Sequence, residues 1–291
     1  MRYFSRRAKL GILGRRLGVL LLAGLAGVCL GSGGLGSGGG ARAAQPVTLS
    51  YTGYMAGLPV FSLTATIDFP AGAGTGAMSL VPGNGGYSLN ADAATAGNFR
   101  LLYPYRATVV SSGQLSDQTA APRQFRSVAE ILGKQEAVTL TYGQGGRVGI
   151  EAIPMTRQAQ DAMAQGFAHG TMDPASAVVA AVAKFAATHQ CAGTYKLFDG
   201  VRRYDLTLRQ GGYVELPAMV QSYYDGGATE CSAEPLLLEG FSSAAAQSQF
   251  YPRAARLFLA PAVTGLPAIP VRIEAQNALG MMTLDLTGVQ F

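Results

Sequence analysis

The sequence predicts a mostly β protein of the α+β kind. Alternation of apolar and polar residues at period two recurs along most of the chain. Glycine-rich turn signals separate the alternating runs. A single strongly helical stretch interrupts them, so the order is strands, one helix, then strands, and not the alternating βαβ of a parallel sheet. With 291 residues, 48% hydrophobic and 13% charged, the chain has ample material for one large sandwich or barrel.

The first strand runs from Thr48 to Tyr54, and Gly57-Leu58-Pro59 turns it into a second, Val60 to Phe69. In that second run Phe61, Leu63, Ala65, Ile67 and Phe69 share one face. Ala71 to Ala77 reads as a Gly/Ala loop, and Tyr87 to Asp92, Phe99 to Val110 and Ala137 to Ile150 as further strands. The last of these breaks at Tyr142-Gly143-Gln144-Gly145-Gly146, a hairpin signal. Asp173 is placed to cap the helix and Pro174 suits its first position. Ala175, Val178, Val179, Val182, Phe185 and Ala186 follow at helical spacing. It ends near His189, whose imidazole suits the negative end of the dipole. Arg157 to Phe167 is a second, more polar helical stretch. Ala254 to Leu259, Ile269 to Ala275 and Met281 to Phe291 close the chain as a meander, with Asn277-Ala278-Leu279-Gly280 joining the last two.

The N-terminus reads as an export signal. Arg2, Arg6, Arg7, Lys9, Arg15 and Arg16 precede a short apolar run, Leu17 to Leu30, and Ala41-Arg42-Ala43 fits the small-x-small cleavage pattern. The apolar run is shorter than the ~20 residues of a spanning helix. Residues 1–43 are therefore expected to be a signal peptide, and residues 44–291 a single β-rich domain without a transmembrane segment. Cys29 follows Val28, where a lipoprotein signal needs a small residue. Ser5-Arg6-Arg7 lacks the apolar residue that a twin-arginine signal expects, which favours the general secretory route. Residues 1–43 hold seven basic residues and no acidic one, so 22 Lys+Arg against 17 Asp+Glu becomes 15 against 17 after removal. The mature chain is near −2 instead of +5, which gives no support for nucleic-acid binding.

Cys191 and Cys231 are the two cysteines that remain after cleavage. Oxidising export makes a disulfide between them the expected pairing. It would tie the end of the Asp173 helix to the Tyr223-Tyr224-Asp225-Gly226-Gly227 turn. After Cys191, Asp199-Gly200 suits a two-residue type I′ turn. That register sets Phe198 opposite Val201, Leu197 opposite Arg202 and Tyr195 opposite Tyr204. Tyr195, Leu197, Tyr204, Leu206 and Leu208 then share the core face, and a one-residue slip would expose them. Arg202 falls on that apolar face. It reads either as a snorkelling side chain at the rim or as a cation at a cavity mouth that meets an anionic head group.

Chemistry-bearing constellations are sparse. His169 and His189 read as loop and cap residues, no G-x-S-x-G elbow is present, and the glycines of Gly31 to Gly40 lack the Lys-Ser/Thr ending of a phosphate loop. Two cysteines and two histidines without paired spacing make a poor metal site. No carboxylate pair suggests glycoside hydrolysis. The expectation is a protein with no catalytic residues, no metal and no cofactor.

Several segments resemble the bacterial domain-of-unknown-function family numbered 3108. They are Asp173-Pro174-Ala175-Ser176-Ala177, Cys191, Phe198 to Leu206 (FDGVRRYDL), Tyr51 to Phe61 (YTGYMAGLPVF), and Ile269-Pro270-Val271-Arg272-Ile273-Glu274 with Gly280. The resemblance implies an exported protein of similar architecture to the periplasmic lipoprotein carriers. That is a curved, incompletely closed antiparallel β-barrel or half-barrel with one main helix packed into the opening. It carries no catalytic residues over. It implies a periplasmic binding or carrier protein for an apolar ligand such as a lipid or acyl chain. The candidate liners are Phe61, Leu63, Ile67, Val178, Val182, Phe185, Tyr195, Leu197, Arg202, Tyr204 and Leu206. The alternative is a structural or protein-interaction factor of the cell envelope with a solidly packed interior, partnered by another envelope protein.

Overall fold

A computed structural model describes residues 46–68, 85–116, 119–241, 254–277 and 280–291. The signal peptide and cleavage site expected in residues 1–43, the Ala71 to Ala77 loop, and Ala278-Leu279 lie outside the described residues.

Among the described residues, thirteen strands form one antiparallel sheet that does not close. The first half is a meander in chain order: β1 (Val47–Met55), β2 (Leu58–Asp68), β3 (Gly85–Thr95), β4 (Tyr105–Ser116), β5 (Thr119–Ile131), β6 (Lys134–Tyr142) and β7 (Val148–Ile153). The second half is β8 (Gly193–Phe198), β9 (Arg203–Leu216), β10 (Gly226–Glu239), β11 (Ala255–Ala260), β12 (Ile269–Asn277) and β13 (Gly280–Gln290). The halves join where β1 pairs with β13, so the middle of the chain supplies both sheet edges, β7 and β8.

Alternation fixes the inner face. Val47, Leu49 and Tyr51 on β1 and Phe61, Leu63, Ala65 and Ile67 on β2 are all buried, as the period-two pattern requires. Among the described residues, three α-helices interrupt the strands: α1 (Phe99–Leu102), α2 (Arg157–Ala164) and α3 (Pro174–Thr188). The main helix is α3. The Asp173 side chain accepts from the Ser176 backbone N–H, Pro174 opens the first turn, and His189 caps the end in the left-handed region with φ 54°. The His189 and Phe185 rings meet edge to face, 6.3 Å between centroids.

α3 packs against β3, β4 and β5 on one side and β8 on the other, which places it in the opening of the sheet. The segment before it bridges the two edges. Gly170 N–H donates to the Gly146 carbonyl beside β7, and Met172 exchanges backbone hydrogen bonds with Lys196 and Phe198 of β8. The β8–β9 turn completes the seal: a Cβ at Gly200 would stand 2.3 Å from Val138 Cγ1 on β6.

Four expectations are corrected. Phe99 to Val110 is not one strand, because Phe99–Leu102 make a helical turn before β4 begins. The β8–β9 register pairs Phe198 with Arg203, Leu197 with Tyr204 and Tyr195 with Leu206. Asp199 lengthens the turn to four residues, since its carboxylate accepts from the backbone N–H groups of Val201 and Arg202 and from Arg202 Nε at 2.9 Å. The shift is by two residues, so Tyr195, Leu197, Tyr204, Leu206 and Leu208 keep a common face. Cys231 lies inside β10, not beside the Tyr223 to Gly227 turn, because β10 starts at Gly226.

Candidate functional site

The candidate site is a cavity between α3 and the inner face of the sheet. It has a volume of about 170 Å³, is partly open, and no lining side chain carries a charge.

One stripe of α3 forms its floor: Pro174, Ala177, Val178, Ala181 and Val182, spaced three and four apart. The opposite stripe is committed to the sheet. Val179, Ala180 and Ala183 belong to the main core, and their small volumes let the helix approach β3 to β5 closely. A buried polar cluster fixes that approach. Ser176 O–H donates to Asp173 Oδ2 at 2.5 Å, and Tyr87 O–H from β3 donates to Ser176 Oγ at 2.7 Å. Ser111 of β4 stands 3.0 Å from the same oxygen. Ser176 has spent its single proton on Asp173, so the Ser111 hydroxyl is the donor. Asp173, Ser176 and Ser111 are fully buried. Burial raises the Asp173 carboxyl above its ordinary value, offset in part by its bonds to Ser176. Burial pushes the Tyr87 phenol up to about 12. Tyr142 of β6 lies beside Asp173, and burial first, then the Asp173 charge, raise its pKa.

The walls come from β1, β2 and β8 to β13. Tyr51 faces Leu63 across β1 and β2, and Leu257 faces Ile273 across β11 and β12. Val178, Ala181, Tyr195, Leu206, Leu257, Ile273 and Met282 line the cavity yet are only half-buried. Apolar side chains on the inner face thus remain uncovered by protein. Tyr51 is the most enclosed phenol of the lining, and burial alone raises its pKa.

The disulfide joins the C-terminal end of α3 to one wall. Cys191 and Cys231 are bonded, with S–S 2.06 Å and Cα–Cα 6.4 Å, and pack with Phe185 and Leu259. Both cysteines also line the cavity.

Of the residues singled out in the sequence, Leu63, Ile67, Val178, Val182, Tyr195, Leu197, Tyr204 and Leu206 line the cavity. Phe61, Phe185 and Arg202 do not. Phe61 stacks on Tyr105 of β4, 6.4 Å between centroids, and fills the core there. Phe185 packs on the disulfide. Arg202 sits in the lengthened turn, paired with Asp199 and 5.8 Å from the Phe241 ring centroid. Its side chain is satisfied away from the apolar face, because the two-residue shift moves it out of the strand. Sequence reasoning missed the walls from β10 to β13. The alternation of Leu257 with Leu259 and of Ile273 with Ala275 carried that signal. It also missed the alanines Ala177 and Ala181, which lie on the Val178 stripe.

Among the described residues, no group of three or more His, Cys, Asp or Glu is arranged to hold a metal ion. No helix among them is long and apolar enough to cross a membrane.

The family model described as "Protein of unknown function (DUF3108)" matches residues 60–287. The chain belongs to this family. Among solved structures, the DUF3108 chain is similar to a β-barrel-like protein of the DUF1849 family from Brucella abortus. The two share 11% identity at a TM-score of 0.45, over 86% of this chain and 98% of that one. It is also similar to a candidate lipoprotein from Parabacteroides distasonis, with 8% identity and a TM-score of 0.32 over 84% and 95% of the two chains. A third is a candidate exported protein with a YmcC-like fold from Bacteroides fragilis, with 10% identity and a TM-score of 0.27 over 86% and 97%. No curated protein matches the DUF3108 chain.

Proposed function

We infer that this DUF3108 protein is an exported, periplasmic binding or carrier protein of the cell envelope, non-catalytic, whose ligand is apolar: a lipid or acyl chain. The observation that carries the reading is the cavity between α3 and the sheet, lined entirely by uncharged side chains. The N-terminal basic and apolar segment and the Cys191–Cys231 disulfide support the exported location.

The volume bounds the ligand. At ~30 Å³ per water-sized group, about 170 Å³ holds roughly six methylene units. Their burial is worth about 5 kcal/mol before the costs of binding. A longer chain would occupy the mouth as well, so affinity rises with chain length and then levels off. An envelope factor with a solidly packed interior is the competing reading, and half-buried apolar residues around a void favour the carrier over it.

Native mass spectrometry and lipid extraction of protein purified from the periplasm test the reading, together with uptake of a fluorescent fatty acid. A co-purifying lipid, or uptake that Ala181→Trp abolishes, is the expected result. Protein that is reproducibly ligand-free and takes up no fatty acid would overturn it.

A further inference from the structure

One end of the sheet carries aliphatic side chains that the cavity does not use. Strands alternate in direction, so the β1–β2, β3–β4 and β5–β6 connections stand at the same end, side by side in the strand order. Backbone hydrogen bonds tie them into a continuous rim. Ala96 N–H donates to the Val60 carbonyl at 2.9 Å, and Leu132 N–H to the Pro104 carbonyl at 3.0 Å. From this rim Leu58, Leu101, Leu102 and Leu132 project into solvent, 67%, 81%, 79% and 45% exposed. Both leucines of α1 point outward, and α1 buries no residue.

Local folding does not ask for leucine at these places. Ile131 pairs with Lys134, so Leu132-Gly133 is a two-residue turn with φ of 51° and 74°. Positive φ at both positions selects asparagine or glycine first, and a leucine there is strained. The residue least suited to the turn is also held outward. Next to the leucines stand two exposed cations, Arg100 in α1 and Lys134 after the β5–β6 turn. Neither makes an ion pair among the described residues. The nearby Arg106 pairs with Glu130 at 3.5 Å.

We propose that this rim rests on the surface of an anionic lipid bilayer, with the four leucines inserted among the acyl chains and Arg100 and Lys134 against the head groups. Four leucine side chains on three separate turns expose less apolar area than a stable protein interface needs, roughly 800 Å² per partner. A fluid layer accepts separate tips without a complementary surface. Apolar insertion with basic flanks is the pattern of interfacial binding.

The test is flotation of the purified protein with vesicles of phosphatidylcholine, alone or mixed with phosphatidylglycerol. Wild type is expected to float with the mixed vesicles and less with the neutral ones. Leu58→Ser/Leu101→Ser/Leu102→Ser should cut partition by about tenfold or more for each inserted leucine. Leu132→Asn should lower partition while raising the melting temperature, which separates contact with lipid from damage to the fold. Arg100→Gln/Lys134→Gln should remove the preference for anionic vesicles. Every variant keeps the wild-type N-terminal segment, so differences among them read the rim alone. Wild type that ignores both vesicle types would overturn the proposal. So would a triple-serine variant that floats as wild type does, or a rim that crosslinks a stable protein partner while vesicle binding is unaffected by the serines. The outcome is independent of whether the cavity holds a ligand.

Discussion

Ser176→Ala tests the attachment of α3 to the sheet. The Ser176 hydroxyl donates to Asp173 Oδ2 and accepts from Tyr87 and Ser111, all in the buried interior. Removing one oxygen leaves three polar groups without that partner at a site water does not reach. Each such group costs about 1–3 kcal/mol, so the loss should be about 3–9 kcal/mol, a large part of the ~5–15 kcal/mol that holds a domain folded. At ~2–4 °C per kcal/mol for a domain of this size, the melting temperature should fall by about 6–36 °C. Urea unfolding followed by circular dichroism in oxidising buffer measures the change. The triple variant Tyr87→Phe/Ser111→Ala/Ser176→Ala should recover part of the loss, because it removes donors together with their acceptor. A Ser176→Ala protein within about 1 kcal/mol of wild type would refute the idea that this cluster anchors the helix.

Asp173 adds a pH dependence. Its carboxyl is raised above the ordinary value near 3.8 by burial, so the folded state binds its proton more tightly than the unfolded state does. That contribution is full below the ordinary value and is lost as pH rises from there through the raised value. Asp173→Asn should flatten this part of the stability profile, measured as urea midpoint against pH. Cys191→Ser should lower the melting temperature in oxidising buffer and leave it unchanged in reductant. For a separation of 40 residues the chain-entropy estimate is about 4 kcal/mol. Arg272 and Asp285 form a buried pair at 2.6 Å across β12 and β13, so Arg272→Met alone should cost about 3–5 kcal/mol. Arg272→Met/Asp285→Leu should return most of it, checked by the same urea titration.

The strands of the inner face were legible because alternation is a local property: Phe61, Leu63, Ala65 and Ile67 needed no knowledge of neighbours. The helix was legible for a similar reason, since Asp173, Pro174 and the valine spacing all lie within its own span. Membership of the cavity was less legible. Phe61 and Leu63 have the same pattern, yet Tyr105 fills the space beside Phe61, and only the three-dimensional partner decides which inward residue meets a void. The strand β5 escaped notice because a bulge breaks its alternation: Ser112 pairs with Gln124 but Gly113 with Pro122, so Arg123 is the extra residue and the inward set steps from Ala120 and Pro122 to Phe125. Arg202 was misplaced because turn length depends on a side chain. Asp199 offers its carboxylate to two backbone N–H groups, and that preference outweighed the two-residue geometry of Asp-Gly.

The pairing of β1 with β13 has a consequence for how the chain folds. Thr48 meets Gln290, so the first strand made is joined by the last. Every other strand pair is between neighbours in sequence and can form early by local closure. During N-to-C synthesis the β1–β7 meander can assemble while β1 presents a row of unpaired backbone groups on its outer edge. That edge lies at the centre of the finished sheet and lacks the protective features of a permanent one. Until the C-terminal strand arrives, it is the place where a second unfinished chain would pair. A permuted chain that links residue 290 to residue 47 and opens between α2 and α3 would make that junction local. It should therefore fold faster and aggregate less.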